Sequence, residues 1–155
     1  MTTYHLTQIN HARLIAPIED PRIADFRNAL DEINHLAEQT EGFVWRLVGT
    51  GNDATDIQLF DDPMVIVNMS VWETIDALFA FTYRSQHVDF YRRRREWFDA
   101  HTLPTPVLWW NPRGYIPSLK DAHQRIDYMA QHGATPYAFN FKQRFSSEEA
   151  EHYAP

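Results

Sequence analysis

The chain holds eight histidines and no cysteine. A side chain that takes up and returns a proton near neutral pH is therefore a histidine first. His87 stands out, in Tyr83-Arg84-Ser85-Gln86-His87-Val88. On a helix, Tyr83, His87, Phe90, Tyr91, Arg94 and Phe98 fall within roughly 100° of arc at 3.6 residues per turn. A histidine flanked by aromatics and one arginine is a general base, an axial iron ligand, or a half-buried imidazole bonded to a neighbour.

The run Arg92-Arg93-Arg94-Arg95 is the second feature. Four consecutive helical residues span about 300°, so at least one guanidinium must turn toward the protein or a partner. Arg94 shares the His87 face and is expected to matter more than Arg93. It suits a carboxylate, a phenolate or a haem propionate, or else an internal ion pair. Asn10 and Asn68 are neutral amides at strand positions that face inward. They either orient a substrate oxygen or are satisfied by loop backbone. Arg46 alternates with Val44 and Val48, which makes it an edge residue or a pocket charge. Trp45 and Trp72 are expected to wall the cavity beside Tyr83. Trp109 and Trp110 must face opposite sides of a strand.

Other chemistries find little support. The histidines form no i,i+4 pair within an expected helix and no carboxylate cluster lies in register with them, so a metal site is not expected. His5 and His11 share a strand face, but two ligands are too few. Gly49-Thr50-Gly51 lacks the following helix that presents amide donors to a phosphate. Ser146-Ser147-Glu148-Glu149 reads as a helix cap, not a nucleophile.

The elements that position these residues follow from breakers and periodicity. Tyr4 to Leu14 reads as a strand. Asp20 caps a helix to Thr40, with Pro21 in its first turn and Ile23, Phe26, Leu30, Ile33, Leu36 and Ala37 at intervals of three and four. Phe43 to Val48 and Met64 to Trp72 are strands, the latter rich in valine. Thr74 caps a long helix to about Ala100. Val107 to Trp110 is a strand. Ser118 to His132 is a helix closed by Gly133, and Tyr137 to Phe145 is a last strand or extended arm.

The order is β-α-β-β-α-β, the ferredoxin-like split-βαβ pattern of an α+β fold. It forms an antiparallel sheet with both main helices on one face. Val65, Val67, Met69 and Val71 are expected against those helices. The opposite set, with Ile66, Asn68, Ser70 and Trp72 beside Leu6, Gln8 and Asn10, is mixed. A mixed face suits a cavity, shared between two sheets packed face to face in a homodimer.

At 155 residues and 18.3 kDa the chain is expected to form one domain, residues 1–155. Residues 4–112 make the ferredoxin-like core and 113–155 a helix and tail extension. A net charge of −7 argues against nucleic-acid and anionic-membrane partners. No apolar run approaches the length of a spanning helix. The start, Met1-Thr2-Thr3-Tyr4-His5, opens no secretory signal, which places the protein in the cytoplasm by default.

The segments Gln8-Ile9-Asn10, Gly42-Phe43-Val44-Trp45-Arg46, Val71-Trp72-Glu73, Arg92 through Phe98 and Leu108-Trp109-Trp110 resemble an uncharacterised bacterial domain family. That family is similar to the antibiotic-biosynthesis-monooxygenase branch of the dimeric α/β-barrel superfamily. The resemblance covers about residues 4 to 145 and implies a homodimer with a pocket between sheet and helices. The wider superfamily includes cofactor-free monooxygenases of polycyclic phenols, haem enzymes, ring-cleaving isomerases and proteins without known activity. Haem-degrading relatives use an Asn on the first strand and a Trp and a His on the second main helix. Asn10 and His87 match two of these, while the Trp position falls near Phe81. The resemblance therefore implies a small planar or aromatic ligand, haem or no cofactor at all, His87 as base or iron ligand, and Asn10 as its catalytic partner. A non-catalytic ligand-binding or stress-associated dimer, or an isomerase or lyase, is the alternative.

Overall fold

The computed structural model describes residues 3–99 and 103–155. Strand β1 (Tyr4–Leu14) is central. The chain then turns through Asp20, whose carboxylate accepts from the Arg22 amide, and a 3-10 turn at Pro21–Ile23. It enters α1 (Ala24–Gln39) and returns as β2 (Phe43–Arg46) and β3 (Val65–Trp72). Gly42, between α1 and β2, has φ +89° and lies so close to the next helix that a Cβ would sit 2.6 Å from Ala77 Cβ. No other residue type fits that turn.

Next come α2 (Ile75–Arg84), α3 (His87–Arg92), a 3-10 turn at Arg94–Glu96, β4 (Phe98–Asp99) and β5 (Val107–Pro112). Helix α4 (Leu119–His132) opens on a Ser118–Asp121 capping box and stops at Gly133. A short α5 (Ser147–Glu151) follows an extended arm. The arm bridges Phe139 to Leu108 of β5 and ends where the Trp110 indole donates to the Phe145 carbonyl.

All strand pairs are antiparallel, in the order β2-β3-β1-β5 expected of a ferredoxin-like α+β fold. β4 pairs Arg13 and Leu14 at the far end of β1. Among the described residues no helix is long and apolar enough to cross a membrane.

Two expectations need correction. The first is the long second helix. It breaks after Arg84, where Ser85 is extended. The Ser85 hydroxyl takes the amide of His87 and reaches back to the Phe81 carbonyl. A serine that satisfies both ends of a break replaces the helical ladder locally. The chain then restarts as α3, and Phe98 lies in a strand; the expected helix end at Ala100 lies outside the described residues.

The second correction concerns the faces of the sheet. Val67 and Met69 do not pack on the main helices. With Ile9, Val107 and Trp109 they form a core against Ala122, Ile126 and Met129 of α4 and Ala138 of the arm. The mixed set faces α1, α2 and α3 instead, and Trp72 and Leu6 are fully buried there against Leu78 and Phe81. Period-two alternation divides a strand into two sets but does not say which set meets which layer. The mixed face that motivated a face-to-face dimer thus lies under α1 to α3, and α4 covers the opposite face as a third layer.

Candidate functional site

Between the mixed sheet face and helices α1 to α3 lies a cavity of about 610 Å³. That is within the usual range for small-molecule sites. α1 contributes Phe26, Leu30 and Ile33, and α2 and α3 contribute Phe81, His87, Phe90 and Tyr91. The sheet contributes the floor.

The floor is a hydrogen-bonded strip across β1 and β3. Cross-strand partners share a face, and the register sets Asn10 beside Asn68, Gln8 beside Ser70 and Leu6 beside Trp72. Gln8 Nε2 donates to Asn68 Oδ1 at 2.9 Å and to Ser70 Oγ at 2.8 Å. Asn10 Nδ2 donates to Gln8 Oε1 at 2.9 Å. The Trp72 indole donates to Ser70 Oγ at 2.8 Å. Gln8 and Ser70 are 4% and 6% exposed, whereas Asn10 and Asn68 are open to solvent. The strip thus runs from a buried, satisfied end to an accessible one. At that end the Asn68 amino group and the Asn10 carbonyl oxygen keep hydrogen-bonding capacity for a ligand.

His87 sits on the wall above. Its Nδ1 lies 3.0 Å from the Thr82 carbonyl and its ring centroid 5.0 Å from that of Phe81. A carbonyl only accepts, so Nδ1 carries the proton and Nε2 the lone pair in the neutral ring. Burial holds the imidazole below its ordinary pKa, with the Thr82 bond opposing that shift. Nε2 has no hydrogen-bond partner among the described residues. His87 is therefore both bonded to backbone and equipped with an oriented basic nitrogen.

The other expected residues divide clearly. Tyr83 lines the cavity and makes edge contacts to Tyr91 and Phe141 at 5.6 and 5.7 Å; burial raises its hydroxyl pKa. Arg94 lines the cavity too. It stacks over the Tyr91 ring at 4.3 Å and donates to the Tyr91 carbonyl. Arg46 reaches the rim with its charge already matched, donating to Glu38 at 3.1 Å and to the Asn52 carbonyl at 2.9 Å. Trp72 closes the buried end.

Trp45 alone among the expected residues lies elsewhere. β2 carries a bulge between Phe43 and Trp45, so Phe43 opposes Trp72 while Trp45 opposes Val71. The extra residue, Val44, throws Trp45 onto the α4 side, where it packs beside Ile9 and Met69. The same bulge separates Arg46 from the face that simple alternation shares with Val44. Arg93, not Arg94, is the arginine turned to the protein. It binds Asp25 of α1 at 2.7 Å and Glu96 at 2.8 Å, and covers the Trp97 ring at 4.9 Å.

Gln8 and Ser70 are site residues that the sequence reading did not single out. Their signal was present, since both alternate with a chosen asparagine. Phe141 joins the wall because the arm wraps past β5, which no local pattern reveals.

A family profile described as a domain of unknown function, DUF3291, matches residues 5–154. The chain belongs to that family. A search of the curated proteins returns no match. Among solved structures, a conserved protein of Methanosarcina mazei is similar at 13% identity and TM-score 0.49, over 71% of this chain and 93% of that one. A Nitrosomonas europaea protein, provisionally named an antibiotic biosynthesis monooxygenase, is similar at 13% identity and TM-score 0.47, over 76% and 97%. A Bordetella bronchiseptica protein with the same provisional name gives 13% and 0.45, over 72% and 98%. Likeness at this level transfers no activity.

Proposed function

We propose that the cavity binds a planar, largely aromatic molecule with one polar edge, and that His87 removes a proton from it to begin an oxygenase-like or rearrangement reaction. The observation that carries this reading is the His87 imidazole. Its Nδ1 is fixed on Thr82 and its Nε2 is unengaged among the described residues, on the wall of an apolar cavity with an amide floor. Apolar walls favour the neutral imidazole, which is the basic form. Asn10 and Asn68 hold the polar edge, Phe26, Ile33 and Phe81 enclose the ring, and the Ser70–Gln8 bonds keep the two asparagines in register.

Haem is a second reading, favoured by the same nitrogen. A histidine whose other ring nitrogen is held by a backbone carbonyl is a typical metal donor. His87 would hold the iron, and Arg94 and Arg95 are cations suited to the propionates. Bound there, haem would supply oxygen binding and redox chemistry at its iron. The chain's own part remains to orient the ligand edge at Asn10 and Asn68 and to exclude water with the aromatic wall.

The homodimer expected from the sequence enters this proposal only through surfaces other than the two sheet faces, which α4 and α1 to α3 cover. Sedimentation at micromolar concentration distinguishes 18.3 kDa from twice that mass.

The test pairs His87→Gln with a panel of planar phenols and with hemin. Oxygen uptake that falls about 10²–10⁴-fold in the variant, with ligand affinity retained, supports the base. A Soret band lost in the variant supports the iron ligand. Ligand binding with neither turnover nor a Soret band in the wild type makes the protein a binder.

A further inference from the structure

We infer that the ligand is an anion: a fused-ring aryl carboxylate whose carboxylate lies against Arg94 and Arg95. The inference rests on the cavity's being the ligand site and adds the charge and reach of what it holds.

The ionic groups of the cavity decide the charge it accepts. Arg46, Arg94, Arg95, Asp53 and Asp99 line it, with neutral His87. Arg46 is matched by Glu38 at 3.1 Å. Asp99 is matched by Arg13 at 3.1 Å. The Asp53 carboxylate accepts from the amide and hydroxyl of Thr55. Among the described residues Arg94 bonds only a carbonyl and stacks on Tyr91, so most of its N–H donors stay open there. Arg95 has no ion pair or hydrogen bond among the described residues. Two adjacent guanidiniums thus stay without a carboxylate in a chain whose net charge is −7. The neighbouring Arg93 instead holds two, Asp25 and Glu96. Arg92 and Arg113 likewise form no ion pair among the described residues, but of the unmatched arginines only Arg94 and Arg95 line the cavity, where a guanidinium pair reads a carboxylate through its forked donors.

Position sets the size. His87 opens α3 and Arg94 opens the 3-10 turn after it, seven positions on, so their backbones stand roughly 10 Å apart at about 1.5 Å per α-helical residue and slightly more in the turn. A molecule that meets the His87 nitrogen at one end and the two arginines at the other needs more than one ring. The amide floor of the same cavity carries no charge, so the rest of the ligand is apolar or neutral.

Isothermal titration of the full chain with 6-hydroxy-2-naphthoate and its neutral isostere 6-hydroxy-2-naphthamide tests this. The expected result is about ten-fold tighter binding of the carboxylate, the size of one charge-assisted hydrogen bond. The preference should shrink with added salt. In the Arg94→Gln/Arg95→Gln double variant the ratio of the two affinities should fall to about one. Equal affinities in the wild type, or an unchanged ratio in the double variant, overturn the anion while leaving the cavity as a ligand site. If neither compound binds the wild type, both the anion and the cavity reading fall.

Discussion

The two faces of the β1–β3 pair are built from alternate residues of the same strands, yet they do opposite work. Toward α4, Ile9, Val67 and Met69 meet Ile126 and Met129 in a dry layer, and Ile9, Met69 and Ile126 are wholly inaccessible. Toward α1 to α3, Gln8, Asn10, Asn68 and Ser70 meet a cavity. Amides facing an open volume contribute little to burial, so on this face cohesion comes from beside the strip, where Leu6 and Trp72 pack on Leu78 and Phe81. The difference teaches that part of one face can be given to recognition when the opposite face, across a sheet one residue thick, is packed throughout. Appending α4 provides the cohesive face, which leaves the other face free to stay polar.

That separation can be broken experimentally, beginning with the largest effect. Ile126→Ala on the dry face should cost about 2–5 kcal/mol, the range for a buried large-to-small change. Chemical denaturation measures it, and at a concentration where the protein remains folded, ligand affinity should be unchanged. A matched loss of affinity would show that the two faces are coupled.

Ser70→Ala on the cavity face should cost about 1–3 kcal/mol, because the buried Trp72 indole and one Gln8 N–H lose their shared acceptor. Unlike the dry-face change it should also weaken ligand binding, by loosening the pair of asparagines. Equal ligand affinity with lost stability would make the strip structural only.

Arg93→Ala should lower the melting temperature more than Arg94→Ala, since only Arg93 joins α3 to α1 through Asp25. Ligand affinity should respond in the reverse order.

The smallest effect is a pH slope. Burial lowers the pKa of His87, and of His5 likewise. The unfolded chain then binds more protons than the folded one as pH falls through the ordinary imidazole value of about 6.5. Stability should therefore decline on acidification below that value. His87→Gln should flatten the slope and leave the part due to His5, measured as denaturation midpoints between pH 7.5 and 5.

Much of this arrangement was legible in the residues. The alternation of Gln8, Asn10, Asn68 and Ser70 marked a polar strip, and capping at Thr74 and Ser118 placed two helix starts, while Asp20 caps the 3-10 turn that leads into α1. The His87 arc brought Tyr83, Phe90, Tyr91 and Arg94 to one cavity even though the helix beneath it is interrupted. What stayed hidden has identifiable causes. The break at Ser85 carries no glycine or proline, and serine is a common enough helix residue to pass unnoticed. The bulge at Val44 inverts every side chain after it without altering composition. The partner layer of each sheet face depends on α4, more than a hundred residues from β1, and local periodicity holds no information about that distance. The orientation of Trp45 failed for the second reason and the choice of faces for the third.

The bulge in β2 has a further consequence, for behaviour in crowded solution. β2 is the outer strand on its side of the sheet, only four residues long, and it exposes Val44 at 37%. A longer, regular edge with an exposed valine would offer unpaired amides and carbonyls to the same edge of another copy, the first step of fibrous aggregation. Here the bulge throws the backbone out of step after one residue, so two such edges cannot zip together in register. The irregularity that turns Trp45 away from the cavity also protects the protein from polymerising through its open edge.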